Sequence, residues 1–146
     1  MKETSAPLPI VLLVDDDQIS RIALSRAVKM LDIENQIATA RDGLEALDYL
    51  AAQAAGNAGT LPPVVVLLDV NMPRMNGVEF CNAVTANTMF DGLVIYAFGA
   101  RELAANVKRA LDPRVAGYVG KDKPLDALAT AVGHAPRATP YRLMQM

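Results

Sequence analysis

The residues that build disulfides and zinc sites are nearly absent from this sequence of 146 residues. It contains one cysteine, Cys81, one histidine, His134, and no tryptophan. A single cysteine cannot form an internal disulfide, and one cysteine with one histidine does not make a zinc ligand set. The sequence therefore argues against a disulfide-stabilised scaffold and against a structural zinc module.

Long apolar runs and an excess of one charge are also missing. The longest strongly apolar runs, residues 10–14 and 64–68, are far too short to cross a bilayer. The 14 basic and 16 acidic residues give a net charge of −2, without the basic excess typical of nucleic-acid-binding domains. The first residues lack the basic-then-apolar order of a secretion signal. We therefore expect a cytoplasmic protein that contacts neither a membrane nor nucleic acid.

The apolar residues, 52% of the sequence, are arranged as short strands that alternate with helices. Continuous apolar runs at 10–14, 64–68 and 93–98 are typical of strands buried on both faces, and weaker strands are predicted at 36–40 and 118–120. Apolar residues at helical spacing follow each strand; on the first helix they are Ile19, Ile22, Ala23, Ala27, Met30 and Leu31. This alternation predicts one α/β domain over residues 9–133, a parallel sheet with helices on both faces, between tails 1–8 and 134–146.

Charged residues stand where several of the predicted strands end. Asp15 and Asp16 follow the first strand, Asp69 ends the third, and Lys121 follows the last. Each residue alone is explained by helix capping, a turn or a solvated surface. However, the functional crevice of an open α/β sheet lies outside the carboxyl ends of its strands. We therefore expect three carboxylates and one ammonium to meet at one edge of the sheet.

Such a cluster favours a particular chemistry. Crowded carboxylates repel one another unless a cation joins them. Oxygen ligands without histidine or cysteine select Mg²⁺, or the related Mn²⁺, and Mg²⁺ is commonly shared between one or two carboxylates and phosphate oxygens. The pattern predicts a phosphoryl site in which Asp69 is the nucleophile and Lys121 contacts the phosphoryl oxygens.

Three segments carry a resemblance to a known family. Val14-Asp15-Asp16, residues 68–77 (LDVNMPRMNG) and residues 117–121 (GYVGK) resemble the receiver domain of two-component response regulators. The resemblance spans residues 8–132, and the three motifs occur in the family's order. It implies a flavodoxin-like sheet with strand order 2-1-3-4-5.

The resemblance also implies roles for individual residues. Asp69 matches the phosphoacceptor, which takes its phosphoryl group from a histidine kinase or a phosphotransfer protein. Lys121 matches the lysine that contacts the acyl phosphate, and Tyr118 the aromatic residue whose ring turns inward or outward on activation. The implied ligands of Mg²⁺ are Asp15, Asp16, Asp69 and the backbone carbonyl of Asn71. The implied protein is a phosphoacceptor and not an enzyme with a separate substrate, and it signals to a downstream protein, by docking, by forming a homodimer or by passing the phosphoryl group onward.

The sequence departs from the family pattern in two places. Gly99 stands where the family has threonine or serine, and residues 93–100 contain neither. The hydroxyl of Tyr96 is at an odd offset from Gly99 and so faces the other side of the strand. We therefore expect phosphorylation to survive better than the conformational switch. In addition, Asp122 separates Lys121 from the next proline, so the family's cis peptide bond is not expected there.

Several functions remain open from the sequence. The first is a stand-alone receiver, and the second is a degenerate receiver that acts as an interaction module with weakened switching because of Gly99. A phosphatase or mutase with an aspartyl nucleophile is disfavoured because Asn71 stands where a general acid is needed. A flavin or dinucleotide site is disfavoured because the turn after the first strand has three aspartates and no glycine.

Overall fold

A computed structural model describes residues 8–31, 34–70, 72, 75–99, 105–120 and 129 of the protein. Its described strands form one parallel sheet of five strands in the order β2-β1-β3-β4-β5. They are β1 (Ile10–Val14), β2 (Ile37–Ala40), β3 (Val64–Asp69), β4 (Val94–Gly99) and β5 (Gly117–Gly120). Every neighbouring pair is parallel, which confirms the predicted doubly wound sheet.

Helices connect the strands. They are α1 (Gln18–Leu31), α2 (Gly43–Ala55), α3 (Gly77–Thr85) and α4 (Ala105–Leu111), with a short 3₁₀ turn at Thr88–Phe90. The predicted last helix lies outside the described residues, except for Ala129, which is helical. Among the helices described, none has the length and apolarity needed to span a bilayer.

The alternation of side chains along the strands separates two cores, one on each face of the sheet. On the first face, Leu12, Val66 and Ala97 pack with α2, α3 and α4. On the second face, Leu13 and Leu67 pack with α1 through Leu24 and Ala27. All residues of β1 and β3 are buried, as the continuous apolar runs predicted.

Only part of the predicted apolar face of α1 is buried. Leu24 and Ala27 face the sheet, whereas Ile19, Ile22 and Met30 are 77%, 44% and 73% exposed, and Ala23 is exposed as well. The apolar residues of α1 form two adjacent stripes, and hydropathy alone cannot tell which of them meets the sheet. The packing of Leu24 and Ala27 against the sheet leaves the stripe that starts at Ile19 on the surface.

Side-chain caps start the helices that follow β1, β2 and β3. Asp17 accepts a hydrogen bond from the backbone N–H of Ile19 at 3.0 Å, as expected of a capping residue. Asp42 accepts one from the N–H of Glu45 at 2.8 Å. Asn76 and Glu79 form a reciprocal capping box at the start of α3. The caps therefore fix where each of these helices starts beyond the carboxyl edge of the sheet.

Candidate functional site

The register of β1 and β3 brings two aspartates side by side. The last aligned pair of these strands is Val14 and Leu68. Asp15 and Asp69 are the next residues on each strand, and neighbouring strands lie about 4.8 Å apart. The site therefore follows directly from strand register, and two continuous apolar runs that each end in aspartate were enough to predict it.

Three carboxylates meet at this edge. Ligand oxygens of Asp15, Asp16 and Asp69 all lie within 4.8 Å of one another. Asp15 and Asp69 are buried, with 1% and 5% of their surface exposed, whereas Asp16 is exposed. Two members of the cluster are therefore buried, and the third, Asp16, is at the surface.

Hydrogen bonds hold Asp15 in place, and the side chains of Asp15 and Asp17 have different partners. A carboxylate oxygen of Asp15 accepts the backbone N–H of Asp17 at 2.9 Å. The backbone N–H of Asp15 donates to the carbonyl of Ala40 on β2 at 3.0 Å, and its carbonyl accepts from the Arg21 guanidinium at 2.5 Å. The carboxylate of Asp17 caps α1 and also accepts the hydroxyl of Ser20 at 3.1 Å. Of the three consecutive aspartates, the first two belong to the cluster and the third to the helix.

The donor set fits a hard divalent cation. All three groups of the cluster are carboxylates, and neither sulfur nor imidazole takes part. Cys81, the sole cysteine of the chain, is fully buried in the core on α3, and burial raises the pKa of its thiol to about 11 despite the nearby Arg114. Oxygen donors of this kind suit Mg²⁺ and Mn²⁺. Like charges this close favour a bound cation, which would neutralise them.

Two predicted site residues, Asn71 and Lys121, lie outside the described residues. Gly99 is the last residue of β4 and pairs in register with Gly120 of β5. Tyr96 is buried on the α1 face of the sheet, whereas Ala97 belongs to the opposite face. Because side chains alternate along a strand, the hydroxyl of Tyr96 faces away from the side of Gly99, as predicted.

Tyr118 lies on the surface, 40% exposed, and is held there by α4 and the turn after it. Its hydroxyl donates a short hydrogen bond to Asp112, and the ammonium of Lys108 lies 4.9 Å from the centre of its ring. Lys108 and Asp112 also form an ion pair at 3.3 Å. Burial, and after it the bond to Asp112, raise the pKa of Tyr118; the same bond, more than Lys108, lowers the pKa of Asp112.

Sequence reasoning missed this contact. The spacing of Lys108 and Asp112 is a recognisable ion pair on a helix. Nothing local in the sequence, however, points from Asp112 to Tyr118, because that contact depends on how α4 packs beside β5.

The chain is similar to known signalling proteins. The sequence model of the response regulator receiver domain family matches residues 11–133. The transcriptional regulatory protein LnrK of Bacillus subtilis is 30% identical over 122 residues, which are 84% of this chain and 51% of LnrK. The chain thus spans about half the length of this curated relative.

Solved structures agree on the fold. The chemotaxis protein CheY4 of Vibrio cholerae is 27% identical with a TM-score of 0.63, and the alignment covers 86% of this chain and 99% of that one. The Mn²⁺-bound form of response regulator Rcp1 is 19% identical with a TM-score of 0.70, covering 85% of this chain and 94% of the other.

Proposed function

Because this chain belongs to the response regulator receiver domain family, we propose that Asp69 accepts a phosphoryl group from a histidine kinase or a phosphotransfer protein in a Mg²⁺-dependent reaction. The observation that carries the proposal is the meeting of Asp15, Asp16 and Asp69 within 4.8 Å at the carboxyl edge of the sheet. The phosphoacceptor unit would be residues 9–133. It is a signalling acceptor rather than an enzyme that turns over a separate substrate.

The proposed step is a phosphoryl transfer. A carboxylate oxygen of Asp69 forms a bond to phosphorus as the bond from phosphorus to the donor's imidazole nitrogen breaks. That nitrogen keeps the electron pair, and an aspartyl phosphate is left on the chain. Asp15, Asp16 and Asp69 would hold Mg²⁺, with the carbonyl of Asn71, and Lys121 would contact the phosphoryl oxygens. Bound Mg²⁺ would supply positive charge that offsets the crowded carboxylates and the phosphoryl group.

The surface beside the cluster supports a protein donor. Helix α1 begins two residues after Asp16, and its exposed apolar stripe runs from Ile19 to Met30. The basic residues of α1 are Arg21, Arg26 and Lys29, and the helix has no acidic residue. Exposed apolar surface of this kind is typical of protein contacts. A donor docked along α1 would approach Asp69 from the side of the exposed Asp16.

A small donor tests the proposal without requiring the natural kinase. The native protein, incubated with acetyl phosphate and Mg²⁺, should gain the mass of one phosphoryl group. Asp69→Asn should gain nothing, and chelation of Mg²⁺ should abolish the gain in the native protein. Asp48→Asn, which changes an exposed aspartate on α2, is the matched control and should be modified like the native protein. Equal labelling of Asp69→Asn would refute the proposal.

Gly99 favours a second candidate, a degenerate receiver that acts as an interaction module with a weakened switch. A hydrogen bond to a charged group is worth about 1.5–3 kcal/mol, which is comparable with the coupling free energy of an allosteric switch. The lost hydroxyl can therefore uncouple phosphorylation from the movement of Tyr118. Amide chemical shifts with and without beryllofluoride and Mg²⁺ separate the two candidates. Changes confined to the cluster indicate the module, and changes that extend to Tyr118 and Asp112 indicate a working switch.

Output and location follow as parts of the same proposal. The acceptor would signal through contacts with a downstream protein, including a second copy of the chain. We also propose that the protein acts in the cytoplasm, the location expected from its sequence.

A further inference from the structure

Val70, the residue after Asp69, is in contact with Gly77, the first residue of α3. Val70 and Met72 are buried, and the backbone N–H of Gly77 donates to the carbonyl of Val70 at 2.9 Å. A Cβ added at Gly77 would lie 2.9 Å from the Cα of Val70, so the two backbones touch. The start of α3 is thereby fixed against the residue that follows the phosphoacceptor.

A further contact ties the segment between Asp69 and α3 to another helix. Gly43 is the buried first residue of α2, and the side chain of Met75 lies directly on it. A Cβ added at Gly43 would lie 2.7 Å from Cγ, 2.8 Å from Sδ and 2.9 Å from Cβ of Met75. Protein interiors are close-packed, and separations below about 3.0 Å force a shift. The absence of a side chain at position 43 is therefore what allows Met75 to sit there.

The two sides of this contact connect the two halves of the cluster. Gly43 follows Asp42 and β2, and β2 is paired with β1, which leads into Asp15 and Asp16. Met75 follows Asp69 by six residues on the segment that leads into α3. We propose that Met75 and Gly43 are positioning residues: their contact holds the start of α3, and through the Gly77–Val70 contact also Asp69, relative to Asp15 and Asp16, and so sets the affinity of the cluster for Mg²⁺.

This inference rests on the proposed function, because it assumes that the cluster holds Mg²⁺. Groups that hold metal ligands in place change metal affinity by about 10–100-fold when they are mutated; the Met75–Gly43 contact lies further from the ligands, so we expect the lower end of this range. Gly43→Ala should therefore weaken Mg²⁺ binding about tenfold, by displacing Met75 and with it the start of α3. In a Met75→Ala background only the contact with Cβ of residue 75, at 2.9 Å, remains, so Gly43→Ala should have a smaller further effect than in the native protein, as expected for coupled neighbours.

The experiment is calorimetric titration of Mg²⁺ into the native protein, both single variants and the double variant, with thermal unfolding of each metal-free protein. Gly56→Ala is the matched control, because position 56 lies at the other end of α2 and an added Cβ meets nothing closer than 3.5 Å. Gly56→Ala should bind Mg²⁺ like the native protein.

The outcomes separate the two proposals. If the native protein binds no Mg²⁺, the proposed function fails. If it binds Mg²⁺ and Gly43→Ala binds equally well, even with a lowered unfolding temperature, the contact is only structural and the inference is overturned. If Gly43→Ala does not fold, Met75→Ala carries the test, and an affinity within about twofold of the native value overturns the inference.

Discussion

At the scale of single residues, position relative to a strand end determines what each aspartate does. Asp15 and Asp69 lie side by side because β1 and β3 are in register up to the preceding pair. Asp17 is two residues further on and caps α1 instead. These roles could be predicted from the sequence, since strand ends and capping residues leave local patterns. The contacts of Met75 with Gly43 and of Tyr118 with Asp112 could not be predicted from the sequence. Each contact joins two elements, and no local sequence pattern shows how those elements pack together.

Tyr118 gives a prediction about pH. The negative charge and hydrogen bond of Asp112 disfavour ionisation of the phenol, in addition to the larger effect of burial. Asp112→Asn removes the charge, so the phenol should ionise at a lower pH than in the native protein. The near-ultraviolet absorbance of tyrosinate measures this, and Tyr118→Phe assigns the change to Tyr118.

Asp91→Asn is the control for this titration, because Asp91 is exposed in the turn before β4. In Asp91→Asn, the phenol of Tyr118 should ionise at the same pH as in the native protein. An unchanged titration in Asp112→Asn would show that Asp112 and Tyr118 are not in contact in solution.

At the scale of elements, the strands could be predicted more reliably than the helix faces. The continuous apolar runs of β1 and β3 can be buried on both sides, so their hydropathy leaves no choice of face. Helix α1 offers two adjacent apolar stripes, and of the residues predicted on its apolar face Ala27 is buried whereas Ile19, Ile22 and Met30 are exposed. The exposed apolar residues of α1 form a surface next to the carboxylate cluster, and hydropathy alone would have assigned them to the core.

The capping box of α3 gives a prediction about stability. Asn76 accepts the backbone N–H of Glu79 at 2.9 Å, and Glu79 accepts that of Asn76 at 3.0 Å. Asn76→Ala should lower the free energy of unfolding by about 1 kcal/mol, the usual cost of losing a cap. Urea unfolding followed by circular dichroism measures it. Asn82→Ala, exposed on the same helix, should cost nothing, and equal losses in both variants would contradict a role for the cap.

At the scale of the whole molecule, the sheet order could be predicted only through the family resemblance. Alternating strands and helices indicate a parallel sheet, but many strand orders satisfy that pattern. The resemblance implied the order 2-1-3-4-5, and the structure confirms it. The positions of Asn71 and Lys121 relative to the carboxylates remain predictions, since both lie outside the described residues.

The repulsion among the three carboxylates predicts that one substitution changes the unfolding temperature in opposite directions with and without Mg²⁺. Without divalent cations, Asp16→Asn should unfold at a higher temperature than the native protein, because one of three crowded charges is gone. With saturating Mg²⁺ the native protein should unfold at the higher temperature, because it has all three carboxylates to bind the ion. A ligand that binds only the folded state stabilises it by about 2.7 kcal/mol at 100 times its dissociation constant. Calorimetric scans with and without Mg²⁺ test both signs, and Asp48→Asn should follow the native protein.

The central claim is that phosphorus becomes bonded to the carboxylate of Asp69, and chemical trapping tests it most directly. Borohydride reduces an acyl phosphate to an alcohol, so the protein treated with acetyl phosphate and Mg²⁺ and then with borohydride should contain homoserine at position 69. Peptide mass spectrometry should find that conversion at Asp69 and not at Asp15 or Asp16, and only after treatment with the donor. Conversion at another aspartate, with Asp69 intact, would contradict the account.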